Sequence, residues 1–154
     1  MLILLYPEAG ELRFPLIQRS SGLNHHANQI GLPGGALEAG ESAIEAALRE
    51  SREELGIDTE TVEILRELSP LGLSVSAYTV YPVVGYTEKV PVFCPNAAEV
   101  ARCFTAPLAE LLRAEAFINL NLEDGRQVPA YKLAGEAVWG ATAMILSELA
   151  DLLT

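Results

Sequence analysis

Residues 42–56, "SAIEAALRESREELG", spell out both ends of one helix, and this limits most what the chain can fold into. Ser42 is a good N-cap followed by acidic side chains in the first turn, and Gly56 can end the helix in the left-handed conformation. Strand-like runs flank this helix on both sides. Residues 2–6 and 12–18 are apolar-rich and separated by "PEAGE", a turn cluster that predicts a hairpin or meander. Residues 19–35 lack periodicity and read as loop, with a short strand at 29–32. After the helix, "TVEILRELSPL" (61–71) and "SVSAYTVYPVVGYT" (74–87) read as strands, the second nearly continuous in β-branched and aromatic residues.

Further on, "PNAAEVARCF" (95–104) offers Asn96 as a cap and helical spacing at Val100, Cys103 and Phe104, so a helix is expected there. "APLAELLRAEAF" (106–117) reads as a second short helix or turn. Residues 117–133 bracket Asp124-Gly125, a hairpin signal. Residues 136–153 place Val138, Thr142, Ile145, Leu149 and Leu152 on one stripe, which predicts an amphipathic closing helix. The order of strands, helix, strands and helix predicts an α/β (α+β) sandwich with a mixed β-sheet between helices. At 154 residues the chain is long enough for one domain, 1–154, and too short for two ordinary ones.

Charge and cysteines narrow the function classes. The formal net charge is -11, with only two lysines, which argues against nucleic acid or an anionic membrane surface as partner. A small anionic substrate is also repelled unless metal cations reverse the local field. The opening "MLILLYPEAGEL" is apolar but short, has no basic leader and meets Pro7 and Glu8 at once, so it reads as a strand rather than a signal peptide or membrane span. Cys94 and Cys103 lack metal-site spacing and are expected to be small buried apolar side chains of a cytoplasmic protein.

The helix carries the chemistry. At about 100° per residue, Glu50, Glu53 and Glu54 project within an arc of roughly 100°, beside an apolar arc of Ile44, Ala47, Leu48 and Leu55. Carboxylates this close repel one another unless a cation sits among them, and hard divalent ions take oxygen ligands. A solvated acidic face with ordinary Arg49–Glu53 and Glu50–Glu54 pairs is the bland alternative. The turn Pro33-Gly34-Gly35 just before the helix tips the balance, because glycine lets backbone approach a ligand closely and places N–H groups where phosphate oxygens can lie.

These residues resemble the Nudix box: Gly, five residues, Glu, seven residues, Arg-Glu, an apolar residue, any residue, Glu-Glu, any residue, Gly and an apolar residue. Gly35, Glu41, Arg49-Glu50, Glu53-Glu54, Gly56 and Ile57 fall at those places. Ser51 stands where the family usually has an apolar or small residue; its hydroxyl is expected to bond back to the Ala47 carbonyl, at small cost to stability and none to chemistry. The resemblance implies that Glu50, Glu53 and Glu54 ligate Mg²⁺ or Mn²⁺, directly or through water, that Arg49 orients them, and that Glu41 ties down Arg49.

Upstream, "LIQRSSGLNHHANQIGLPGG" resembles the signature of the coenzyme A pyrophosphatase branch of Nudix enzymes, through Arg19, Ser20, Leu23, His26, Gln29, Pro33, Gly34 and Gly35. Asn24 replaces an arginine of that signature, Asn28 a glycine and Leu32 a phenylalanine. Members of the branch commonly have a longer N-terminal region before the first strand, and contacts from such a region are not expected here. Arg19, one of few cations near an anionic site, is expected to contact phosphate. His26, Gln29, Gly34 and Gly35 are the further substrate-side candidates, and Glu99 is a candidate ligand or base. The implied reaction is metal-dependent hydrolysis of a phosphoric anhydride in a small-molecule nucleoside-diphosphate compound, with Glu53 or Glu99 accepting the water's proton. Coenzyme A or an acyl derivative is the implied substrate, giving 3′,5′-ADP and 4′-phosphopantetheine. ADP-ribose or a nucleotide sugar is the alternative, and a catalytically silent nucleotide-binding module the more distant one. A homodimer is compatible with the sequence.

Overall fold

The structure is a computed structural model that describes residues 1–22, 28–74 and 76–154. Its centre is β1 (Leu2–Glu8), in which five apolar residues run without interruption. Such a run fits a strand covered on both faces. Leu2 and Leu4 point to one side, with Ala47, Leu55 and Ile57 from α1 (Ala43–Leu55) and the residues after it. Ile3 and Leu5 point to the other side, where Ile145, Leu146 and Leu149 of the C-terminal helix pack. Full burial of each such side chain contributes about 1.5–3 kcal/mol.

Around β1 the sheet is mixed. A two-residue turn, Ala9-Gly10, with φ of 53° and 84°, folds β2 (Glu11–Arg19) back antiparallel to β1. β3 (Ile30–Gly31) pairs with the end of β2. Beyond α1, a single 3-10 turn (Thr59–Thr61) leads into β4 (Glu63–Glu67). A small hairpin of β5 (Leu71–Leu73) and β6 (Tyr78–Val80) follows. β7 (Val83–Tyr86) then lies parallel to β1 and antiparallel to β4. β8 (Val100–Pro107) pairs antiparallel with β2 from Arg13 to Arg19.

After α2 (Leu108–Leu111) and a 3-10 turn (Ala114–Ala116), a three-stranded sheet is built from β9 (Phe117–Asn121), β10 (Gln127–Leu133) and β11 (Glu136–Trp139). With α3 (Ala141–Leu153) it covers the second face of the main sheet through Tyr131, Leu133 and Val138. Helices thus flank a mixed sheet, as expected from the order of elements.

The ends of α1 are set locally. Ser42 Oγ accepts from the Glu45 N–H at 3.2 Å, and the Glu45 carboxylate accepts from the Ser42 N–H at 2.8 Å, a reciprocal capping box. Gly56, with φ of 68°, ends the helix by donating its N–H to the Arg52 carbonyl.

Four expectations are corrected. Residues 96–104 form no helix: Asn96 opens one turn and the chain then enters β8, because pairing along β2 satisfies the backbone of 100–107 while Val100 is buried against the α1 cluster. The closing helix begins at Ala141, not near 136. Ala134-Gly135, with φ of 50° and 82°, makes a tight turn that pairs 136–139 with β10, and Gly140 at φ of 69° separates strand from helix. Leu152, placed on the buried stripe, is exposed. The run 74–87 is split at Tyr81-Pro82, so β6 and β7 belong to different sheets. No helix among the described residues is long and apolar enough to cross a membrane.

Candidate active site

The last two turns of α1 carry Arg49, Glu50, Glu53 and Glu54 beside the Pro33-Gly34-Gly35 turn. Glu54 is only 1% exposed. Its Oε2 accepts the Gly34 N–H at 2.8 Å and its Oε1 lies 3.9 Å from Arg19 Nη1. Burial penalises its charged form and pushes the carboxyl up to about 7, against the Gly34 hydrogen bond; the charge of Glu50 adds to the rise, Arg19 opposes it, and Glu99 adds again. A carboxylate this buried, among like charges, has less counter-charge than it needs.

Gly35 gives Glu50 its place, because a Cβ at residue 35 would fall inside the Glu50 carboxylate. Gly34 is equally confined, since its Cβ would lie 2.7 Å from the Met1 Cα. The N–H of Gly34, expected to face a phosphate, is instead engaged by Glu54.

Arg49 ties the site together. Its Nε and Nη2 donate to the two Glu41 oxygens at 2.7 and 3.0 Å, a bidentate pair, and Nη2 also donates to the Ala36 carbonyl at 2.9 Å. Nη1 donates to Glu50 at 2.7 Å and to Glu53 at 3.3 Å. The Arg49 guanidinium and the Glu38 N–H hold the Glu41 carboxyl below its usual range. One planar fork therefore fixes the 36–41 loop and the Glu50 carboxylate in the same frame.

The carboxylates that converge are Glu50, Glu54 and Glu99, with one oxygen of each within 4.8 Å of the others. Glu99 lies on the turn ahead of β8. Glu53 stands aside, its half-exposed side chain held by Arg49. Helix geometry explains the division: Glu53 and Glu54 lie on opposite flanks of Glu50, about 100° apart, so a seat on the Glu54 flank leaves Glu53 at the rim. Ser51 is fully buried, and its hydroxyl donates to the Ala47 carbonyl at 2.7 Å.

Among the proposed substrate residues, Arg19 ends β2 with its Nε buried and unpartnered among the described residues. The Gln29 carbonyl accepts the Arg19 N–H at 3.0 Å. His26 lies outside the described residues. Of the cysteines, Cys94 is exposed, contrary to expectation, while Cys103 is half-buried, its thiol pushed up to about 11 by burial. The sequence reading missed the side chain of Asn96, which donates to Glu99; the only signal was its cap-like place in "PNAAE".

A family model for the NUDIX domain matches residues 1–123. The chain is 41% identical over 139 residues to an uncharacterized Nudix hydrolase NudL of Pectobacterium atrosepticum, covering 88% of this chain and 72% of that protein. It is 38% identical over 148 residues to the NudL of Escherichia coli K12, covering 94% and 75%. In fold it is similar to a MutT protein of Methanosarcina mazei, with a TM-score of 0.63 at 21% identity over 99% of this chain and 91% of that one. It is also similar to the NUDIX domain of Shewanella oneidensis NrtR, solved with ADP ribose, with a TM-score of 0.61 at 17% identity over 99% and 85%.

Proposed function

The chain belongs to the Nudix hydrolases, enzymes that cleave the pyrophosphate bond of nucleoside-diphosphate compounds, and from that premise we propose that it splits coenzyme A or an acyl derivative into 3′,5′-ADP and 4′-phosphopantetheine. The observation that carries the hydrolytic reading is the convergence of Glu50, Glu54 and Glu99. What supports the substrate is the likeness of residues 16–35 to the coenzyme A branch signature.

The donor set fits a hard divalent cation, Mg²⁺ or Mn²⁺. Three carboxylates face one another, Arg19 is the nearest cation to Glu54 among the described residues, that carboxylate is held buried, and the missing side chain of Gly35 lets the Glu50 carboxylate lie against the turn. Glu50 and Glu54 would hold the ion from the helix and Glu99 from the facing loop, with Glu53 acting through water. Such an ion neutralises charge on the diphosphate and acidifies water.

The chain's own groups do the rest. Arg49 keeps Glu50 in orientation, and the Gly34 N–H keeps Glu54 turned inward. Arg19 reaches toward a phosphate from the end of β2. Water attacks one phosphorus, the bridging P–O bond breaks with its electron pair leaving on the second phosphate, and a neighbouring carboxylate, Glu53 or an oxygen of Glu99 turned away from the ion, accepts the water's proton. The free thiols of Cys94 and Cys103 fit a reducing cytoplasm.

ADP-ribose is the second reading, favoured by Asn24 in place of the signature arginine and by the likeness to a Nudix domain solved with ADP ribose. Liquid chromatography of products from purified protein, Mg²⁺ and a panel of coenzyme A, ADP-ribose and a nucleotide sugar decides between them. Formation of 3′,5′-ADP is expected; turnover of ADP-ribose with coenzyme A left intact overturns the choice.

A further inference from the structure

We propose that Asn96 is a positioning residue for this reaction, its side-chain amide holding the Glu99 carboxylate toward Glu50 and Glu54. The inference rests on the reading above that these three carboxylates seat a divalent cation.

A helix leaves its last carbonyls without intrahelical partners. In α1 two of them are taken by the loop that carries Glu99: the Leu55 carbonyl accepts the Cys94 N–H, and the Glu54 carbonyl accepts the Asn96 N–H, each at 2.8 Å. Asn96 is thus bound to the backbone of the residue whose side chain is the buried carboxylate. Its own carbonyl accepts the N–H groups of Glu99 at 3.0 Å and Val100 at 2.8 Å. On the far side, Ser20 donates its N–H to the Glu99 carbonyl at 2.9 Å and its hydroxyl to the Ala97 carbonyl at 3.1 Å. The backbone of Glu99 is therefore pinned from helix and sheet, and what stays free is its side-chain rotation.

The Asn96 amide restrains that rotation. Its Oδ1 accepts the Ala98 N–H at 3.2 Å, and its Nδ2 donates to Glu99 Oε1 at 3.3 Å. Because a backbone N–H claims the oxygen end, the nitrogen end must face the carboxylate. Mutual repulsion otherwise drives the partly exposed Glu99 away from Glu50 and Glu54 into water. A neutral amide suits the task, since it holds an anion without neutralising it; a lysine or arginine there would compete with the cation for the same oxygens.

The test is Mn²⁺ titration followed by electron paramagnetic resonance on the wild type, Asn96→Ser, Glu99→Gln, the double variant and Glu50→Gln, with melting temperatures measured in chelator. Serine keeps an acceptor for the Ala98 turn but cannot reach Glu99. Asn96→Ser is expected to weaken Mn²⁺ binding by about three- to tenfold, the scale of one ordinary hydrogen bond, since the contact is long and exposed. Glu99→Gln should weaken it at least as much, and the double variant no more than Glu99→Gln alone. Wild-type affinity in Asn96→Ser beside a weakened Glu99→Gln overturns the proposal, as does a loss that adds in full to that of Glu99→Gln. Asn96→Thr, which also keeps a hydroxyl for the turn, is titrated in parallel, and wild-type affinity there counts equally against it. Wild-type affinity in both Glu50→Gln and Glu99→Gln removes the cation seat itself, a different failure from that of Asn96 alone.

Discussion

The backbone N–H of Gly34 donates to the buried carboxylate of Glu54 at 2.8 Å, so the glycine turn and the acidic helix meet through one hydrogen bond. The turn therefore aims inward a carboxylate that solvent would otherwise draw out, and sets it beside the like charges of Glu50 and Glu99.

That arrangement has a pH signature. Glu54 titrates near 7 in the fold and near 4.5 in the unfolded chain, so between these values the folded state binds more protons. The associated stability is fully present below about pH 4.5 and is lost as pH rises through 7, a change of up to about 3 kcal/mol. In chelator, Glu54→Gln is expected to remove this slope and to melt above the wild type at pH 8, while hydrolysis is abolished. Thermal melts from pH 5 to 8 check the sign, and a wild type that gains stability from Glu54 as pH rises contradicts it.

Gly35 admits no side chain beside Glu50. Gly35→Ala must push the Glu50 carboxylate away or move the turn, and it should cost about 1–3 kcal/mol of stability in the manner of an overpacked site. Turnover should fall by about a hundredfold or more, on the scale of a misplaced catalytic group. Chemical denaturation alongside steady-state kinetics separates the two losses.

Arg49 bonds at once to Glu41, Glu50, Glu53 and the Ala36 carbonyl, a geometry that lysine cannot reproduce. Arg49→Lys keeps the charge but loses the fork. Its kcat is expected to drop by about ten- to a hundredfold with the melting temperature lowered only a few degrees, and near wild-type kcat argues against an orienting role.

Ser51 is the control. Its hydroxyl donates to the Ala47 carbonyl of its own helix rather than to one of the three converging carboxylates. Ser51→Ala should change stability by less than about 1 kcal/mol and leave turnover unchanged. A large loss of turnover there would place the reactive groups on the wrong face of α1.

What the sequence disclosed follows the range of the forces involved. Both caps of α1, the β1–β2 turn and the Asp124-Gly125 hairpin were legible because each is decided within a few residues. The fates of 96–104 and 136–139 were not, because distant strands supply their partners: β2 captures β8, and the unusual Ala134-Gly135 turn returns β11 to β10. The site divides the same way. Glu50, Glu54 and Arg49 share one helix, whose period can be counted, and the Arg49–Glu41 tie was implied by the resemblance to the Nudix box. That Glu99 joins them while Glu53 stays at the rim depends on which flank of the helix the 94–99 loop docks against, and no local pattern encodes that.

The central claim is that Glu50, Glu54 and Glu99 seat a divalent cation. A crystal soaked in Mn²⁺ and measured at the manganese absorption edge tests it directly. The account predicts an anomalous peak about 2.0–2.3 Å from carboxylate oxygens of Glu50 and Glu54, with Glu99 on its far side. No peak there, or one held by surface carboxylates elsewhere while Glu54 keeps only its Gly34 and Arg19 contacts, contradicts it.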